Sequence, residues 1–115
     1  MFIGSFVCRV KPDKQAEFCA SVGDLRDRVR SQEGCVDCRL AADVETTGTF
    51  TVLSEWIDRT SLDRFLQSSE YRVLRGMRIL MQDEPRFAIE EVLLLSRRPF
   101  SPADRQRHES PRKEG

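Results

Sequence analysis

The sequence predicts an α+β fold of βαββαβ order, a four-stranded antiparallel sheet carrying its helices on one face. Three observations predict it. Four stretches read as strands, by two-residue alternation or by apolar, β-branched runs. Two helical regions, one after the first strand and one after the third, carry narrow apolar stripes. The second and third strands are separated only by a short turn, the mark of a hairpin. At 115 residues the chain fits one domain with a single core.

The elements follow in order. From Phe2 to Val10, Phe2, Gly4, Phe6, Cys8 and Val10 point one way and Ile3, Ser5, Val7 and Arg9 the other. Lys11-Pro12-Asp13 stops this strand, and a proline suits the start of the helix that follows. That helix spans about 12–32, with Phe18, Val22, Leu25 and Val29 on one stripe, and Glu33-Gly34 ends it. A second strand over 35–43 places Val36, Cys38 and Leu40 on one face. A turn over 44–48 leads to a third strand over 49–57. There Phe50, Val52, Ser54 and Trp56 face one side, and Thr51, Leu53, Glu55 and Ile57 the other. Thr60-Ser61-Leu62-Asp63 has the pattern of a capped helix start, with Leu62, Phe65 and Leu66 as its apolar side. Ser68-Ser69-Glu70 restarts the helix, which runs from Tyr71 to Met81. Val73, Leu74, Met77, Leu80 and Met81 fall on its apolar arc, and Arg72, Arg75 and Arg78 on the opposite arc with Tyr71 at the border. After Pro85 a fourth strand over 86–96 is apolar on both faces through Phe87, Ile89 and the run Val92 to Leu95.

The domain therefore covers 1–96 and has the split βαβ, or ferredoxin-like, arrangement. From Arg97 to Gly115 the composition turns to proline and mixed charge, six basic residues against three acidic, which marks a solvated, flexible tail. Helices cover only one face of the sheet, yet the first, third and fourth strands carry large apolar residues on both. A second copy of the chain is the expected cover, giving a homodimer through the sheet face.

Composition excludes several functions. The net charge is zero, and the arginines are spread along the chain among acids, so no nucleic-acid partner is expected. No apolar run approaches the 20 or so residues of a membrane span, and the first residues lack a signal-peptide pattern, which points to the cytoplasm with no membrane contact. Cys35-Val36-Asp37-Cys38 has C-x-x-C spacing, but it follows a helix and enters a strand, where residues three apart face opposite sides. Redox pairs sit instead at helix N-termini, and closed zinc sites need four ligands. The four cysteines are read as free, metal-free thiols. The chain contains no asparagine, and its one histidine is His108, in the tail, so no Ser/His/Asp triad can be assembled in the body.

Several segments resemble a known family. Arg9-Val10-Lys11-Pro12 leads into a helix with Phe18, and Glu33-Gly34-Cys35 leads into Cys38-Arg39-Leu40. Leu53-Ser54-Glu55-Trp56-Ile57-Asp58 resembles an "E-W" strand end, and Leu62-Asp63-Arg64-Phe65-Leu66-Gln67-Ser68 the short helix after it. Together the segments from Val7 to Leu95 resemble the antibiotic biosynthesis monooxygenase family of dimeric α+β barrel proteins. The resemblance implies a homodimer with sheets packed face to face. It also implies a cofactor-independent monooxygenase that acts on a small aromatic or quinol-like substrate with O₂, or a non-catalytic dimeric small-molecule-binding domain of the same fold. Trp56, Phe65 and Arg39 are the candidate substrate-binding residues, and Tyr71 and Arg75 the candidate catalytic ones. Two departures stand out: many active relatives use an asparagine near the first strand, and the haem-degrading ones a histidine on the last helix, about where Arg75 stands. Haem degradation is therefore not expected. Glu55, on the face opposite Trp56, is expected to pair with Arg9 or Arg39, because an unpaired buried carboxylate is costly.

Overall fold

The computed structural model describes residues 1–93. Its strands are β1 (Phe2–Arg9), β2 (Cys35–Ala42), β3 (Thr49–Trp56) and β4 (Arg86–Glu91), and its helices α1 (Gln15–Arg30), α2 (Arg59–Leu66) and α3 (Ser69–Gly76). Single 3₁₀ turns stand at Pro12–Lys14 and Met77–Leu80. The sheet order is β2-β3-β1-β4 with every pairing antiparallel, the expected ferredoxin-like topology. Among the described residues no helix is long and apolar enough to cross a membrane.

The core follows from the alternation of the two central strands. Phe6 and Cys8 of β1, Val10 just after it, and Phe50, Val52 and Trp56 of β3 are buried under the helices. The α1 stripe meets them with Phe18, Val22, Leu25 and Val29, all buried, and the Phe18 and Phe50 ring centroids are 5.5 Å apart. Leu62 and Phe65 of α2, Leu74 of α3, and Met77, Leu80 and Met81 after it complete the layer.

The second helical region differs from its predicted outline. Asp58 caps α2, its carboxylate accepting from the Ser61 amide at 2.8 Å, so the helix begins earlier than Thr60. Ser68 caps α3 by accepting from the Tyr71 amide at 3.2 Å, as the restart signal implied. The α-helix then stops at Gly76, a poor helix former, and the chain tightens into the 3₁₀ turn. That turn is tied to the end of β1: the Lys11 amide donates to the Leu80 carbonyl at 2.9 Å, and the Gln82 amide to the Arg9 carbonyl at 2.8 Å.

The open face of the sheet also differs from its prediction. Ile3, Val7 and Leu53 form a half-buried apolar centre on β1 and β3. On β4, however, this face carries Arg86, Ala88 and Glu90, paired with Val7, Ser5 and Ile3, and the strand ends at Glu91. The two-sided apolar character expected of β4 is therefore absent from the described strand. Val92 and Leu93, expected in this strand, lie beyond its end, and the rest of the predicted extension to Ser96 and the tail over 97–115 lie outside the described residues. Glu55 on this face is paired with Arg39 at 3.3 Å, one of its two expected partners.

A register shift in β2 corrects the reading of the C-x-x-C. Cys35 pairs with Trp56 while Asp37 pairs with Glu55, leaving Val36 as a bulge, half exposed. Cys38 then pairs with Ser54. Both cysteines consequently lie on the helix side of the sheet, where strict alternation would have separated them. Among the described residues no cluster of three or more metal-binding side chains forms around them or elsewhere.

Gly34 fixes how the loop before β2 meets α2. Its φ is +85°, its carbonyl accepts from the Ile57 amide at 2.9 Å, and a Cβ there would collide with the buried Ser61 side chain. Gly48, at φ +90° in the hairpin turn, would bring a Cβ to 3.2 Å from the flexible end of Gln15 and 3.3 Å from the Val10 carbonyl oxygen, tighter than usual but without the outright collision at Gly34. Gly34→Ala is expected to destabilise the domain by about 1–3 kcal/mol, because it combines strain with a collision that a buried helix residue cannot relieve. Gly48→Ala should cost less; urea denaturation of the two variants checks the order.

Candidate functional site

Three of the five candidate residues meet in one aromatic chain on the helix side. Trp56 ends β3 and is fully buried. Its ring stacks on Phe65 of α2, with centroids 5.0 Å apart and planes 26° apart. Phe65 in turn meets the edge of Tyr71, the third residue of α3, at 5.4 Å. The break between the two helices makes this possible: α2 ends at Leu66, Ser68 caps the next helix, and Tyr71 is turned back toward Phe65.

Two further rings enclose Tyr71, Phe87 of β4 at 5.7 Å and Phe6 of β1 at 6.4 Å, both edge-on. No pattern in the sequence pointed directly to this enclosure. The available signal was Gly4, whose position is bare enough for the Phe87 ring to lie over it: a Cβ there would come within 3.0 Å of Phe87.

The polar groups of the chain are few. The Trp56 indole Nε1 is buried and has no hydrogen-bond partner among the described residues. Such an unpaired donor costs about 1–3 kcal/mol, which marks it as unusual in a packed core. Tyr71 is half-buried; burial raises its phenol pKa, an effect the nearby Arg75 partly offsets. Arg75, one turn on, holds its guanidinium carbon 6.0 Å from the centre of the Tyr71 ring. The fourth candidate thus joins the chain at its exposed end.

Arg39 does not join it. It lies across from Leu53 on the open face of the sheet, paired with Asp37 at 3.2 Å and Glu55 at 3.3 Å. Three surface clefts of about 380, 440 and 520 Å³ lie apart from the Trp56–Phe65 stack. The second of these, between α3 and Glu84-Pro85, includes Arg75 in its lining. The aromatic chain is therefore a packed wall that, among the described residues, meets polar groups at Tyr71 and Arg75.

Three cysteines lie on the helix side of the sheet, Cys8 and Cys38 buried and Cys35 partly so. Burial pushes the Cys8 and Cys38 thiols up to about 11 from 9.0, and burial also raises Cys35, which lies beside Trp56.

Comparison with known proteins places this geometry. Residues 1–76 match the family model described as antibiotic biosynthesis monooxygenase. Among curated protein sequences none matches the chain. Among solved structures, a conserved protein of Methanosarcina mazei Go1 is 26% identical, with 77% of this chain and 89% of that one covered and a TM-score of 0.73. A structure described as antibiotic biosynthesis monooxygenase is 18% identical, covering 82% of this chain and 100% of its own, with a TM-score of 0.72. Rv0793 of Mycobacterium tuberculosis is 16% identical, covering 84% and 100%, with a TM-score of 0.73.

The raised thiols fix a pH dependence. Unfolded cysteines lose their protons near 9.0, while folded Cys8 and Cys38 keep theirs to about 11. The unfolded state then binds fewer protons, so stability falls as pH rises through that window. Urea midpoints should drop between pH 9 and 11, and drop less in the C8A/C38A variant. At neutral pH both thiols should resist iodoacetamide until the protein is denatured, as read by mass spectrometry.

Proposed function

The chain belongs to the antibiotic biosynthesis monooxygenase family, and from that premise we propose that it is a cofactor-independent monooxygenase acting on a small phenolic or quinol-like aromatic with O₂. The observation that carries this reading is the buried Trp56 N–H with no acceptor, set in a continuous wall of rings that opens at Tyr71. A flat aromatic with an oxygen substituent supplies both of the things that wall lacks, a face to stack and an acceptor.

In this proposal the ligand enters beside half-buried Tyr71, displacing Phe65 enough to reach the indole. Arg75 stabilises the phenolate form, which is the electron-rich one, and the Tyr71 hydroxyl donates to an oxygen of the ring system. Because burial raises its pKa, Tyr71 remains a donor through neutral pH. The substrate supplies the electrons. A phenol with an unsubstituted para carbon and O₂ give a quinone and water, one oxygen atom ending on the ring and the other leaving as water. The protein contributes orientation and the exclusion of solvent. Arg39, held by two carboxylates on the other face, has no part in this step.

A dimer belongs to the same proposal. The half-buried Ile3, Val7 and Leu53 form an apolar strip that a second copy would cover, with the Arg39–Glu55 pair at its border. One observation favours a second reading, a binding domain without turnover: residues 1–93 contain neither histidine nor asparagine, so no imidazole is available to move a proton.

Oxygen uptake with a panel of quinols and polycyclic phenols separates the two readings. Turnover that Trp56→Phe lowers, with folding kept, supports the enzyme. Binding of those phenols without oxygen uptake leaves the binding domain, and neither binding nor uptake removes both. Tyr71→Phe should weaken affinity by about 0.5–1.5 kcal/mol if the hydroxyl only binds, and lower kcat more than affinity if it assists the chemistry. Sedimentation at micromolar concentration should show a dimer; a monomer would refute the shared face.

A further inference from the structure

The arginines of α3 are distributed unlike the others. Outside this helix, every arginine of the described residues except Arg86 lies in an ion pair with a carboxylate. Among the described residues Arg72 and Arg75 have no such partner. Both line the cleft of about 440 Å³ that runs between α3 and Glu84-Pro85. Arg78, three residues further, lines it too and is the only one of the three that is compensated, by Glu84 at 3.4 Å.

The spacing explains why they converge. Residues three apart share a face on an α-helix, and they remain aligned where the chain tightens to three residues per turn after Gly76. Gly76 leaves the floor open, with nothing within 4 Å of where a Cβ would stand. Helix electrostatics accounts for Arg75, in the last turn, where a cation offsets the helix dipole. It does not account for Arg72, which lies mid-helix. Three guanidinium groups against one carboxylate leave the cleft about two positive charges in excess, in a protein whose net charge is zero.

We propose that this cleft binds an oxyanionic arm of the ligand, a phosphate monoester or a comparably charged carboxylate group, so that the substrate is an aryl oxyanion rather than a neutral phenol. The inference rests on the preceding reading in one respect, that the aryl part lies against Tyr71. Arg75 stands at the junction, over the Tyr71 ring on one side and in the cleft on the other. Arg72 is the specificity residue: planar guanidinium groups grip such oxygens in pairs.

Calorimetric titration of the full-length protein with 1-naphthyl phosphate, 1-naphthol and inorganic phosphate tests this. Naphthyl phosphate should bind more tightly than either of the others, and its affinity should fall with added salt. R72Q and R75Q should each weaken it by about tenfold or more, the worth of a charged hydrogen bond. R59Q, which removes the same charge elsewhere on the surface, should change nothing. If naphthol binds as tightly as naphthyl phosphate, or R72Q and R75Q bind like the parent, the anion cleft is overturned while the phenol reading stands. If inorganic phosphate binds as tightly as naphthyl phosphate and depends on Arg72, the cleft stands and the aromatic wall does not.

Discussion

The stack of Trp56 on Phe65 is the contact on which the rest of the helix layer depends. Trp56 is the last residue of β3, so its indole can be covered only if the chain turns back at once. Ile57 and Asp58 make that turn, Asp58 caps α2, and Phe65 then falls over the indole. Gly34 is what lets the turn seat, because any side chain there would strike Ser61 on α2. Removing a buried ring of this kind costs about 3–5 kcal/mol, a large part of what holds a small domain folded. The same stack positions Tyr71, since α3 can approach β1 and β4 only as far as Phe65 allows.

Much of this was legible in the sequence because it depends on period. The stripe of Phe18, Val22, Leu25 and Val29 is set by helical spacing alone, and the structure buries those four. The even positions of β1 and β3 follow likewise from alternation. The Glu55–Arg39 pair was legible from cost, since a carboxylate on a face expected to be covered needs a cation. The aromatic trio was legible as a neighbourhood, because Trp56, Phe65 and Tyr71 lie at the end of one strand and on the two helical pieces that follow it.

What could not be read has a different origin. The bulge at Val36 is a backbone event decided by pairing with β3, and no side chain in Cys35-Val36-Asp37-Cys38 announces it; alternation assigned Cys35 to the wrong face as a result. The helix start at Asp58 lost to Thr60 in the sequence because both have cap-forming side chains, and only the path out of β3 decides between them. Arg39 was grouped with the aromatic residues because spacing cannot tell which carboxylates lie across the neighbouring strand. The ring of Phe87 over Gly4, which completes the enclosure of Tyr71, joins residues more than eighty positions apart. The ion pairing that distinguishes Arg72 and Arg75 from their fellows is likewise a property of contacts between elements, visible only once the chain is folded.

The bulge in β2 also bears on self-association. β2 is an outer strand of the sheet, and an unbroken outer strand offers a regular row of amides and carbonyls on which a further strand can be templated. At Val36 the register with β3 shifts, and a bulge of this kind breaks the regular spacing of such a row. Strand-by-strand elongation, the route to cross-β fibrils, meets an irregular border here, which favours closed assemblies built from faces over open-ended ones built from edges.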